Sequence, residues 1–168
     1  LSSINWESKI LYGLILLLMV ALMLASLGGG IWGQSEPWIL QWQHSLFSGV
    51  CHQQADRSFW IAGQPMAVCA RCAGIYGMFT AGWILVPFFA AKIQFSKKED
   101  TKFLAIIFLL NVIDVIGNLL GIWQNTLISR LLAGSLLGFA TAICIGETLI
   151  KQHQSLTNGK QHGTTRTA

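Results

Sequence analysis

Apolar residues run in four long blocks along the chain, and the charges fall between them. Residues 10–35 and 72–91 carry no charged side chain, residues 103–129 carry only Asp114, and residues 131–146 carry none. About 20 mostly apolar residues span the ~30 Å hydrocarbon core of a bilayer as a helix. The blocks therefore predict four transmembrane helices, over 9–31, 72–92, 103–123 and 128–150. Backbone groups in lipid must be satisfied internally, which favours helices over isolated strands. The expected fold is an all-α membrane domain over 1–150, with an extracytoplasmic Cys/His loop at 32–71 between helices one and two. The tail 151–168 is polar and rich in Thr, Gln and Gly, and reads as disordered. The first block is longer than a signal-peptide core, and Ala25-Ser26-Leu27-Gly28 is a weak cleavage site, so a retained helix is expected.

Composition removes the competing classes. Of 168 residues, 11% are charged and 53% hydrophobic, against ~25% charged in soluble domains. That is too little charge to cover a small soluble globule. A disordered chain and a nucleic-acid-binding domain are equally poor fits. The net charge of +4 follows a layout. With four spans, Lys9, Lys92, Lys97, Lys98, Lys102, Lys151, Lys160 and Arg166 share one side, and Arg57, Arg71 and Arg130 the other. The positive-inside rule then makes both termini cytoplasmic in a multi-pass protein of the cell membrane. Its expected partner is the lipid bilayer, with no nucleic acid.

Local signals sharpen the boundaries. Ser96 and Glu99 form a capping-box pattern opening the third span. Trp32, Trp38, Trp42, Trp60 and Trp123 gather near the outer boundary and Trp6 near the inner one, as an aromatic belt would. Pro87 should kink the second span. Ser35 and Pro37 open a short interfacial helix in the loop, with Trp38, Trp42, Leu46 and Val50 at fourfold spacing. Residues 58–68 suggest a small hairpin or re-entrant turn around Ala62-Gly63-Gln64-Pro65. Gly134, Gly138, Ala142 and Gly146 form a small-residue stripe suited to close helix packing, and to a homo-oligomer contact.

Chemistry concentrates in the loop. Cys51-His52 is followed, sixteen residues on, by Cys69-Ala70-Arg71-Cys72. Three cysteines and one histidine can make a tetrahedral set for a metal such as Zn2+. Cys69 falls near the start of the second span, where helix N–H groups, with Arg57 or Arg71, favour a thiolate. A thiolate serves metal binding and thiol exchange equally. Asn111, Asp114 and Asn118 share one face of the third span, and an ionisable group there should face the bundle or a wet cavity. A purely structural role would pair Asp114 with Arg130 or with an Asn. Tyr76 lies one turn beyond Cys72. Asp56 and Arg57 suit a local salt bridge, and Cys144 lies apart as a buried thiol.

The loop resembles an uncharacterised prokaryotic membrane family, domain of unknown function 2085. The resemblance rests on Cys51, His52 and Gln53, then Arg57, Ser58 and Phe59, then Cys69, Arg71, Cys72, Gly74, Ile75 and Tyr76. It extends to Asp114, Asn118 and Arg130, and covers most of residues 45–146. Ala55 stands where the family often has Pro. The resemblance implies membership and no particular activity.

Three function classes stay open. One is a multi-pass membrane protein with a zinc-like centre on Cys51, His52, Cys69 and Cys72. Another is a membrane thiol/disulfide oxidoreductase coupled to a quinone. The third is a small transporter or assembly factor with structural cysteines. Whether the protein is an enzyme is undecided, and candidate catalytic residues are Arg57, Arg71, Tyr76, Asp114, Asn118 and Arg130.

Overall fold

The computed structural model describes residues 6–34, 36–89 and 97–164. Four long helices carry the architecture: α1 (Trp6–Ser26), α3 (Ala70–Phe89), α4 (Lys97–Leu119) and α5 (Leu127–Thr164). A short helix α2 (Trp42–Phe47) and a two-stranded hairpin, β1 (Trp60–Ile61) and β2 (Gln64–Pro65), lie between α1 and α3. Thr101–Leu119 and Leu127–Gly146 are each long and apolar enough to cross a membrane.

The principal seam joins α3 to α5. A Cβ at Gly134 would overlap the Arg71 carbonyl, and one at Gly138 would overlap the Ile75 carbonyl. From the other side, a Cβ at Gly74 would overlap the Leu131 carbonyl. The two backbones therefore touch, as small residues permit in close helix pairs. Ala142 is fully buried, and Gly146 packs under Val86. The stripe expected to suit close helix packing thus packs on α3 of the same chain.

Helix α1 docks on α3 through a reciprocal pair. Tyr12 Oη donates to the Trp83 carbonyl (2.8 Å), and Trp83 Nε1 donates to the Tyr12 carbonyl (3.2 Å). Their rings stack at 5.5 Å. Trp83 is thus fully buried with its N–H satisfied, as an interior indole requires. It belongs to the core, in contrast to the exposed Trp32, Trp42, Trp60 and Trp123.

Helix ends follow local chemistry. After α4, Ile122 N–H donates to the Gly117 carbonyl (2.9 Å) and Gly121 N–H to the Asn118 carbonyl (3.3 Å). Gly121 has φ +70°. This is a Schellman stop, in which glycine takes the left-handed residue. Thr126 Oγ1 then accepts from Ser129 N–H (3.1 Å) to start α5. Asp114 consequently lies within two turns of the end of α4. Pro87 falls in the last turn of α3.

Two expectations need revision. The region read as a disordered tail is helical as far as Thr164. The Leu-rich span propagates into it without a proline break, and added residues cost only propagation, not nucleation. The loop helix predicted from Ser35 is interrupted: Trp38–Leu40 form a 3-10 turn, Gln41 is extended, and α2 begins at Trp42. Gln41 leaves the helix because its side chain is claimed by neighbours. Ser35 and Ser96, the proposed caps, lie outside the described residues.

Gly134→Ala is expected to lower the thermal midpoint of detergent-purified protein, costing about 1–3 kcal/mol through forced helix separation. Gly77→Ala, at a position with no heavy atom within 4 Å of the added methyl, should leave the midpoint unchanged or slightly higher.

Candidate metal centre

The hairpin aims the loop at the start of α3. Ala62 and Gly63 have φ +50° and +79°, the pairing that a two-residue type I′ turn demands. Trp60 pairs with Pro65 and Ile61 with Gln64. The hairpin is then clasped to the end of α1. Gly29 N–H donates to Gln41 Oε1 (3.0 Å), Gln41 Nε2 donates to Gln64 Oε1, and Gln64 Nε2 donates to the Gln34 carbonyl (2.9 Å). Ala67 N–H donates to the Ser26 carbonyl (3.1 Å). Ala67, Val68 and Ala70 are essentially inaccessible to solvent, so Cys69 arrives on a fixed track.

Cys51 arrives from α2. Its N–H donates to the Phe47 carbonyl (3.0 Å), and Phe47 packs on Tyr76 at 5.7 Å. Phe47, Cys51, Ala67, Val68 and Ala25 form one buried cluster, against which Cys69, Cys72 and Tyr76 pack. Gln53 locks the turn that follows. It has φ +46° and is buried. Its Nε2 donates to the carbonyls of His44 (2.7 Å) and Ala67 (2.9 Å). Both hydrogens of a buried amide are thereby satisfied.

The sulfurs of Cys51, Cys69 and Cys72 lie within 4.8 Å of one another. Cys69 Sγ and Cys72 Sγ are 3.6 Å apart, close to the ~3.8 Å that a tetrahedral zinc–thiolate site imposes. All three are free thiols. Cys69 N–H donates to Cys51 Sγ (3.2 Å). The Cys51 thiol beside it holds Cys69 far below the ordinary thiol range, with Cys72 and the N–H groups of Cys72 and Arg71 adding to the effect. Cys51 is pushed up, chiefly by its bond to Cys69 and also by burial. The α3 dipole favours negative charge at the same place.

His52 is not part of the group. It is exposed between buried Cys51 and buried Gln53. The expected four-residue set is therefore three thiols, and Gln53 is the inward neighbour. Cys144 lies well along α5 and outside the group.

Charged residues assemble beside the thiols. Arg71, between the two α3 cysteines, forms an ion pair with Asp114 Oδ2. Asn125 Nδ2 donates to the same oxygen (2.8 Å), and Asn118 Oδ1 accepts from Asn125 N–H (3.0 Å). Asp114 thus takes Arg71 and an asparagine, not Arg130. Asn111 donates to the Ile107 carbonyl one turn back (3.1 Å) and stays apart from the pair. Asp56 and Arg57 face each other at 3.8 Å, largely in solvent, as expected of a local loop pair. Arg71 and Asn125 as partners of Asp114 were not legible from spacing, since both depend on how α3, α4 and the 120–126 turn meet.

Two helices able to cross a bilayer and a thiol group at the start of a third set the chain among small helical membrane proteins. It belongs to the family described as predicted membrane protein (DUF2085), whose model matches residues 51–144, as the loop motifs imply. An uncharacterised protein of Methanocaldococcus jannaschii, MJ1492, is 34% identical over 102 residues. That alignment covers 61% of this chain and 65% of the relative, so the chain spans somewhat under two thirds of the relative it matches. No solved structure matches the chain.

Asp114→Ala should leave the partly exposed Arg71 guanidinium without its carboxylate and lower stability by about 1–3 kcal/mol, after allowance for solvent screening. Asp114→Asn, which keeps an acceptor for Asn125, should cost less. Chemical unfolding of the two purified variants checks the order.

Proposed function

We propose that the chain is a four-span protein of the cell membrane that holds a transition metal, zinc by donor chemistry, on Cys51, Cys69 and Cys72. The observation that carries this reading is the mutual approach of three sulfurs within 4.8 Å. Soft thiolates select zinc or copper(I) over magnesium or calcium. Three protein ligands leave a fourth position, as in catalytic rather than closed structural zinc sites. Arg71 and Asp114 stand beside that position through the ion pair on α3 and α4. The layout of Lys residues supports cytoplasmic termini and an outward-facing centre.

A second reading rests on the same pair of sulfurs. Cys69 is the thiol held lowest, and Cys72 lies 3.6 Å away. Oxidation of the two thiols to a disulfide would pass two electrons and two protons to an acceptor such as a quinone. Alkylation and mass spectrometry in native membranes separate the readings. Three alkylatable thiols released only by a chelator support metal, whereas a Cys69–Cys72 disulfide supports exchange.

Elemental analysis of protein purified without added chelator is expected to find about one metal equivalent per chain. Cys51→Ser, Cys69→Ser and Cys72→Ser should each lose most of it, and His52→Ala should retain it. Acidification should release the metal, because protons compete for thiolates. Less than about a tenth of an equivalent in the wild type, with thiols reduced, counts against the proposal.

A further inference from the structure

An open groove of about 350 Å³ lies where the end of α1 meets the loop. Ala21, Leu24 and Ala25, from the last two turns of α1, line one part of it. Trp32, Gln34 and Trp42 of the loop line the rest. Its surface is almost entirely apolar, and no charged residue lines it. Both indoles are exposed. Apolar concavities of this kind mark sites where something apolar binds.

The groove continues a row on α1. Ile10, Leu14 and Leu17 are exposed. Ala21 and Leu24 follow at the same spacing of three and four, which keeps all of them on one helix face. Ala21 is the small member of the row, so the ridge drops into a notch where the groove begins. An apolar chain lying along this row reaches the indoles without leaving apolar surface.

Size and charge decide between occupants. One turn of a helix, ~5.4 Å long and ~10 Å across, displaces about 420 Å³. The groove is smaller than that, so neither a partner helix nor a helix of a second copy seats in it. A phosphate headgroup calls for Arg or Lys, and neither lines the groove. An acyl chain needs neither the width nor the charge. Tryptophans favour the level of a bilayer where acyl chains meet their headgroups.

We propose that the groove seats one acyl chain of a membrane phospholipid between Trp32 and Trp42. This rests on the reading of α1 as a membrane span, and it holds whether or not the thiols carry a metal. Ala25 belongs both to the groove and to the buried cluster that contains Cys51. The seated chain therefore shares a wall with the thiol group.

The full chain, purified from membranes and exchanged exhaustively into fresh detergent, provides the test. Solvent extraction and mass spectrometry of the bound lipid should find about one phospholipid per chain, as a single groove implies. Ala21→Trp, which fills the notch from an exposed position, should lose most of it. Leu18→Trp, equally exposed but outside the groove, should keep it. If Ala21→Trp does not fold, Trp42→Ala removes a wall whose residue is 56% exposed and should lose the lipid likewise. Retention of none by wild type, or of as much by the groove variants as by wild type, overturns the proposal. Recovery of a quinone or a second protein chain in place of phospholipid overturns it too. Antibody access to tags placed before α1 and at Ser48, in sealed vesicles, reports separately whether α1 crosses the membrane.

Discussion

The close approach of α3 to α5 sets everything at the thiol end. Backbone meets backbone at Gly74, Gly134 and Gly138, with no side chain between. Such contact relies on dispersion over matched surfaces. Because the match is atomic, it fixes the rotation of both helices as well as their distance. Rotation decides that Cys72 faces the loop. A looser seam would leave the same residues in the chain and disperse the site.

The loop solves a different problem. It must hold irregular backbone beside an apolar bundle without orphaning polar groups. Glutamine amides do this work: Gln41 and Gln64 clasp the hairpin to the end of α1, and Gln53 ties the Cys51 turn to Ala67. Apolar residues Ile39, Leu40, Trp42, Leu46 and Val50 are left on the outside. The polar interior and apolar exterior suit a segment resting at a membrane interface. Gln43 is fully buried, and neither of its amide atoms has a partner.

Much of this was legible in the pattern of residues. The helices, the hairpin at Ala62-Gly63, the role of Cys69 at a helix start and the grouping of three cysteines all follow from local periodicity and spacing. The failures share a cause. His52 adjoins Cys51 in sequence, yet it is exposed while Cys51 and Gln53 are buried, which adjacency does not reveal. Asp114 takes Arg71 as its partner because α3 and α4 both pack on α5, a fact with no trace in either helix alone. The continuation of α5 through residues 151–164 shows how a long helix carries a polar segment that composition alone marks as unstructured. Gln53 stood in view beside Cys51, but only its left-handed backbone and its two carbonyl partners reveal what it holds.

The hydrogen bond from Ala67 to Ser26 has a mechanical consequence. Ser26 is the last residue of α1, and Ala67 stands two residues before Cys69. Val68 between them is completely enclosed and leaves no slack. The end of α1 is thereby tied, through Ala67 and Val68, to Cys69, whose carbonyl accepts from Ala73 N–H (3.0 Å) at the start of α3. One hydrogen bond and one enclosed residue thus hitch the end of α1 to the sulfur-bearing start of α3.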